Sequence, residues 1–312
     1  MLPLVEIPEI VRHYAPFFTS VFSPEAFVQF QRYVSGLIMS ENKTVEGINR
    51  IFVIDVRHQS SLNRLLTESP FSVAALNHAR LALLSSLTGT QMKPKGILSI
   101  DDTLLTHYGK HFDKIAYLYD SAQGCYVWAH NLVNLHYSDD QTDYPVDFRL
   151  WEPVELEALE TGLKAAGVPI RDSKYALKAS NPKKWRQYLL NLWRRHQNKP
   201  AVQQLYDSKL RIAQQMLTQF FADYPDLHLP VTFDNWYTQP AFCRFLDKTL
   251  QGAYVGTLAA DDQVILASGA QRLDAFDLQL QAEHHEAIKQ DTTPVFHKIT
   301  IAYKGERETY YS

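Results

Sequence analysis

The sequence predicts an α/β chain. Residues 1–90 place apolar side chains at helical spacing, residues 96–137 switch to β-branched and aromatic runs, and two apolar strand candidates roughly 130 residues apart each end in Asp. Strands of that kind, with helical segments before and between them, make a sheet covered by helices.

The N-terminal stretch supplies the first helices. Ser23-Pro24-Glu25 offers an N-cap, a proline at the first helical position and an acid in the first turn, and AFVQFQRYVSGLI follows at helical spacing until Gly36 interrupts it. Thr44 ahead of Val45, Ile48, Ile51 and Phe52 marks a second helix, Ser60 through Leu66 a third. Ser69-Pro70 opens a fourth, with Phe71, Ala74, Ala75, His78 and Leu81 along one stripe.

After Lys93-Pro94-Lys95 the period changes. ILSID, KIAYLYD (114–120) and CYVWAHNLVNLHY (125–137) read as three strands, the last two joined by the turn Ser121-Ala122-Gln123-Gly124. Short connections predict an antiparallel meander, and the apolar run before Asp101 predicts a central place for the first strand.

Residues 153–222 return to helix. Between 174 and 211 stand ten Lys or Arg against the single acid Asp207, among them Lys183, Lys184, Arg186, Arg194, Arg195 and Lys209, with Trp185, Tyr188 and Trp193 interspersed. Two readings stay open for this segment. It is a solvated face whose aromatics pack inward, or it is a phosphate-binding patch that releases counterions from a nucleic-acid backbone. Beyond it, LPVTFD (229–234) gives a strand ending at Asp234, a helix runs from about Gln239 to Leu250, and AYVGTL (253–258) gives another strand. VILAS and VFHKITIAYKG add strands around a helix near 272–290.

At 312 residues and 46% hydrophobic, the chain is long and apolar enough for a sizeable core. The net charge of −3 leaves any nucleic-acid contact to a local patch. Nothing approaches the ~18 apolar residues of a membrane span, and the opening MLPLVEIPEI has acids where a signal peptide would have Lys or Arg. A cytoplasmic protein is expected, with no membrane partner. Cys125 and Cys243 lie in apolar sequence without a second ligand nearby and read as reduced core thiols.

An Asp at the end of an apolar strand is costly to bury unless paired, hydrogen-bonded or neutralised by a cation. If ILSID and VTFD are neighbours in one sheet, Asp101 or Asp102 converges with Asp234, and such oxygen ligands suit Mg²⁺ or Mn²⁺. Paired ions of that type assist phosphodiester cleavage. Strand alternation sends Asp101 and Asp102 to opposite faces, so one is a direct ligand and its neighbour a supporting group. Competing clusters are weaker. Gly109 between His107 and His111 argues for a turn, and Glu283-His284-His285-Glu286 lacks the His-Glu-x-x-His spacing of a helical metal site.

The ordered set of a helical N-terminus, Ile-Asp-Asp-Thr followed by Tyr108-Gly109-Lys110, then Tyr119-Asp120, then VTFDNWY resembles the bacterial insertion-sequence transposases with a DDE-type, ribonuclease-H-like catalytic domain. The resemblance runs over nearly the whole chain. It implies a ribonuclease-H-like mixed sheet flanked by helices, preceded by an all-helical domain over 1–93 that is a candidate for DNA contact. The catalytic domain would span 94–312, with the basic segment at about 153–211 and a β-rich insertion starting near 259. It further implies metal-dependent cleavage and strand transfer on DNA, with Mg²⁺ or Mn²⁺ as cofactor and a homodimer on DNA ends. Asp101, favoured over Asp102, would match the first acid and Asp234 the second. The third acid, a Glu on a late helix, has no counterpart. Glu283 and Glu286 are poor substitutes, and Glu306 and Glu308 fall in an apparent hairpin. The expectation is a C-terminally truncated copy or a fragment, defective in strand transfer, with a non-catalytic DNA-binding remnant and an unrelated metal-dependent nuclease or phosphatase as the alternative readings.

Overall fold

Side-chain caps set where three of the N-terminal helices begin. In the computed structural model, which describes residues 3–54, 56–266, 269–283, 298–303 and 306–311, the chain divides into two units, Met1–Lys93 with Asp140–Asp143 and Pro94–Asp139 with Tyr144–Ser312. The first unit holds α1 (Glu9–Tyr14), a 3₁₀ turn (Ala15–Val21), α2 (Pro24–Met39), α3 (Val45–Arg50), α4 (Ser60–Thr67) and α5 (Val73–Ser86). Ser23 caps α2 by accepting from the Ala26 amide, and Thr44 caps α3 by accepting from Gly47. Helix α5 starts later than the Ser69-Pro70 signal suggested. Ser72 is its cap, accepting from the Ala75 amide, because the chain turns first through a bond from Phe71 N–H to the Ser69 carbonyl.

Gly36 does not interrupt α2, which continues to Met39. Its missing side chain serves packing instead: a Cβ there would collide with Ile48, which is wholly buried. Arg32, also buried, lays its guanidinium 4.1 Å from the Phe52 ring centroid and donates to Asn49 Oδ1 at 3.2 Å.

The second unit is built on β1 (Ile97–Thr106), β2 (Ala116–Asp120), β3 (Cys125–Ser138), β4 (Asp143–Trp151), β5 (Val231–Phe233) and β6 (Tyr254–Gly256). The sheet order is β2-β3-β1-β5-β6, with β4 also paired to β3. This is a mixed sheet: β1 and β3 are antiparallel, whereas β5 runs parallel to β1 and β6 parallel to β5. With helices before and between the strands, the fold is the ribonuclease-H-like α/β class. The expected meander is replaced by a different pairing. β2 takes residues 125–129 of β3 and β1 takes 129–138, so the fourteen-residue β3 partners both in succession. β4 was missed because Pro145 lies within it and its alternation is broken by charge.

Between β4 and the next long helix lies a helical insert: α6 (Leu156–Ala165), α7 (Ala176–Ser180), α8 (Pro182–Arg195) and α9 (Pro200–Gln203). It has its own core of Leu159, Leu163, Val168, Trp185, Leu189, Trp193 and Val202. Then come α10 (Lys209–Asp223) and α11 (Pro240–Arg244), the latter continuing as a π turn over Phe245–Leu250. Finally β7 (Gln263–Leu266), β8 (Gly269–Arg272), α12 (Leu273–Glu283), β9 (Lys298–Tyr303) and β10 (Glu306–Tyr311) form a β-rich segment. Its four strands make an antiparallel sheet in the order β10-β9-β7-β8. Among the described residues, no helix is long and apolar enough to cross a membrane. Cys243 is buried as expected, but Cys125 is exposed, because it begins β3 directly after the turn.

Candidate active site

The two acids at 101 and 102 do not end their strand. β1 runs on through Thr103, Leu104, Leu105 and Thr106, because β3 continues to pair with it as far as Ala129. The strand that ends is β5, whose last residue Phe233 lies opposite Ile100. Asp101 therefore sits one residue beyond the paired edge, and Asp234 follows Phe233 at the same level. The carboxyl ends of parallel strands are where an open α/β sheet leaves a crevice.

The face on which each acid lies follows from register. Ser99 and Thr232 are opposed, with hydroxyl oxygens 2.9 Å apart, and two residues further along their strands come Asp101 and Asp234. The two carboxylates are close enough that Asp234 helps to raise the Asp101 pKa. The largest cause is burial, followed among the raising influences by the charges of Asp234 and Asp102, while the Asp102 amide and Lys209 pull it down. Asp101 Oδ1 accepts from the Asp102 amide at 2.7 Å. Asp234 Oδ1 accepts from the Trp236 and Tyr237 amides at 3.0 and 3.3 Å, an Asx turn that fixes the carboxylate at the head of the turn. The Thr238 hydroxyl lies 2.6 Å from the Thr257 carbonyl and secures the far side of that turn.

Asp102 faces the other way, with buried Leu98 and Ile100, and is fully engaged there. Its Oδ2 accepts from Asn131 Nδ2 and from Lys209 Nζ, each at 2.7 Å. Lys209 is the first residue of α10, where a cation opposes the helix dipole. Its position is held by Asp102 and by two aromatic rings, with Nζ 5.3 Å from the Trp151 centroid and 5.2 Å from that of Trp236. The Tyr237 hydroxyl lies 3.5 Å from Asp102 Oδ1. Burial, then the charges of Asp102, Asp101 and Asp234, push its pKa far up, so it stays protonated and remains a donor.

Oxygen donors alone make up the Asp101–Asp234 pair, and each keeps one carboxylate oxygen outside the hydrogen bonds just described. That donor set fits a hard divalent cation such as Mg²⁺ or Mn²⁺. A third ligand does not join them: among the described residues, no group of three His, Cys, Asp or Glu is arranged to hold a metal ion. Glu283 closes α12 and accepts from Gln279. Glu306 and Glu308 pair with Tyr303 and Ile301 across β9 and β10. His284, His285 and Glu286 lie outside the described residues.

Lys183, Lys184, Arg186, Arg194 and Arg195 are all exposed on α8, while Trp185 and Trp193 are buried in the insert's core. Other cations of the basic segment are committed: Lys178 to Glu160 at 3.0 Å, Lys199 to the Ala166 carbonyl at 3.3 Å, Arg211 to Asp207 at 2.9 Å. Lys209 is the site residue that sequence reasoning missed. A lysine following a Ser N-cap is an unusual first helical residue, and that was the one signal it gave.

A family model described as DDE superfamily endonuclease matches residues 16–268. No curated protein matches the chain.

Proposed function

The chain belongs to the DDE superfamily endonuclease family, and from that premise we propose that it is an insertion-sequence transposase that cleaves DNA and transfers the freed strand with Mg²⁺ or Mn²⁺. The observation that carries this reading is the meeting of Asp101 and Asp234 at adjoining positions of parallel β1 and β5. Asp101 and Asp234 would hold the metal, which lowers the cost of forming an attacking oxygen and offsets charge on the leaving one. The chain's own residues do the positioning. Asp102 does not ligate but anchors Lys209, and Lys209 with Asn131 stiffens β1 beneath the acid pair. Tyr237 donates towards Asp102 from within the turn that Asp234 caps. The exposed cations of α8 hold phosphates without reading sequence. DNA ends are paired by a homodimer in the cytoplasm.

Incubating the protein with Mg²⁺ or Mn²⁺ and DNA bearing the element's ends tests this. Asp101→Asn and Asp234→Asn are each expected to lower nicking by roughly two to three orders of magnitude, in line with the loss of several kcal/mol of charge stabilisation. DNA binding is expected to persist in both. A second reading, a DNA-binding protein without cleavage, draws on the carboxylate pair lacking a third ligand among the described residues. Binding with no metal-dependent nicking in the unmodified chain would select it.

A further inference from the structure

One surface of the second unit takes no part in holding metal or in the basic face of α8. Tyr117, Tyr119 and Tyr126 are more than half exposed and Trp128 over a third. Their rings form a continuous ladder, with centroids 5.4 Å apart for Tyr117 and Tyr126, 5.3 Å for Tyr117 and Trp128, and 5.2 Å for Tyr119 and Tyr126. Register accounts for the ladder: Tyr117 opposes Trp128 and Tyr119 opposes Tyr126 across β2 and β3.

The same register places the ladder relative to the acids. Asp101 opposes Asn134, Thr103 opposes Leu132 and Leu105 opposes His130, so the even-numbered residues of β3 share the face of Asp101. Trp128 and Tyr126 continue that even series. The ladder and the Asp101–Asp234 pair therefore lie on one face of one sheet, separated by six residues of β3, roughly 20 Å at ~3.3 Å per residue. Asp102, Asn131 and Lys209 occupy the opposite face.

We propose that this aromatic ladder is a stacking platform for unpaired nucleotides of the DNA whose backbone enters the acid pair. Its chemistry favours such an occupant over a hydrophobic helix: exposed aromatic rings at varied tilts, 27° to 63° between neighbours, three of them tipped by a hydroxyl and one by an indole N–H, can stack on any base and need no sequence readout. Lys110, exposed in the loop between β1 and β2, offers charge to phosphates. Asp120, at the ladder's far end, turns its Oδ1 onto the Ala122 and Gln123 amides at 2.9 and 3.1 Å. The spacing sets the scale of the complex, since about six nucleotides of stacked strand bridge ladder and acids. The proposal rests on the endonuclease reading for its choice of DNA, but its test is separate.

Full-length protein is titrated by fluorescence anisotropy, over a salt series, with a single-stranded oligodeoxynucleotide of about 16 nucleotides and with the same sequence as duplex. Tyr126→Ala and Trp128→Ala are each expected to weaken single-strand binding about tenfold. The salt dependence should not change, because the rings themselves neutralise no phosphate. Tyr126→Phe and Trp128→Phe, which keep an aromatic face, should bind as the unmodified chain does, and so should all four variants with duplex. Unchanged single-strand affinity in the alanine variants overturns the proposal, as does an equal loss in the phenylalanine variants. Conversion of a dimer to monomer by the alanine variants, with DNA binding intact, also overturns it and assigns the face to a second copy of the chain. Asp234→Asn separates the two readings. Metal-dependent nicking that needs Asp234 but is accompanied by ladder-independent binding defeats the platform alone, and ladder-dependent binding without any nicking defeats the endonuclease reading alone.

Discussion

Lys209 shows how one side chain ties the strand that carries the candidate acids to a helix. It and Asp102 are 16% and 20% exposed, so neither charge is well solvated, and each depends on the other. Lys209→Met is expected to destabilise the protein by about 2 kcal/mol, read from urea unfolding, by leaving Asp102 without its cation and with only Asn131 and the longer Tyr237 contact. Adding Asp102→Asn should restore much of that loss, whereas a simple packing role for Lys209 would show no recovery. The acids themselves were legible in the sequence because charge after an apolar run has few cheap explanations. The choice between Asp101 and Asp102 was legible only as alternation. Which face carries the partner acid depends on β5 lying beside β1 rather than on any local pattern. Lys209 was hidden among ten cations for the same reason, since its meaning comes from a partner 107 residues away in sequence.

At the scale of elements, the caps of α2 and α3 and the strand–acid–helix–strand order around Asp234 were readable because each is decided by a few adjacent residues. The β1–β3 pairing was not, because three strands with short connections permit more than one order. Gly36 illustrates a signal read with the wrong sign: a glycine in a helical run can mark a close approach as well as a break. Gly36→Ala is expected to cost about 1–3 kcal/mol of stability, read from urea unfolding, through overpacking against Ile48, despite the better helix propensity of alanine. In the insert, Glu160 is almost buried and is held below the ordinary glutamate range by hydrogen bonds from Lys164 and then Lys178. A depressed carboxyl contributes stability that is present above its unfolded pKa and is lost as pH falls through the folded one. Wild-type stability should therefore fall more steeply than that of Glu160→Gln as the pH drops below 4.5, the ordinary glutamate value. Equal slopes in urea midpoints across that range would count against the Lys–Glu–Lys bridge. On α8, replacing Lys183, Lys184, Arg194 and Arg195 by Gln should weaken duplex binding and reduce the salt slope by about 0.9 for each phosphate no longer neutralised. Unchanged binding would return the segment to a solvated face.

For the molecule as a whole, the helical first unit and the mixed sheet follow the broad division seen in the sequence, where helical spacing gives way to alternation after Lys93-Pro94-Lys95. The long reach between its two acids has a consequence for how the protein comes into being. β1 and β5 are parallel neighbours, yet the chain between them holds three more strands, the whole insert and α10. Closing so large a loop costs entropy before any pairing returns it, and non-local pairings of this kind form slowly. A nascent chain emerging from the ribosome has Asp101 long before it has Asp234. The proposed cutting centre is therefore assembled late, by synthesis itself, and on that reading an unfinished chain lacks the pair of acids with which to nick the DNA around it.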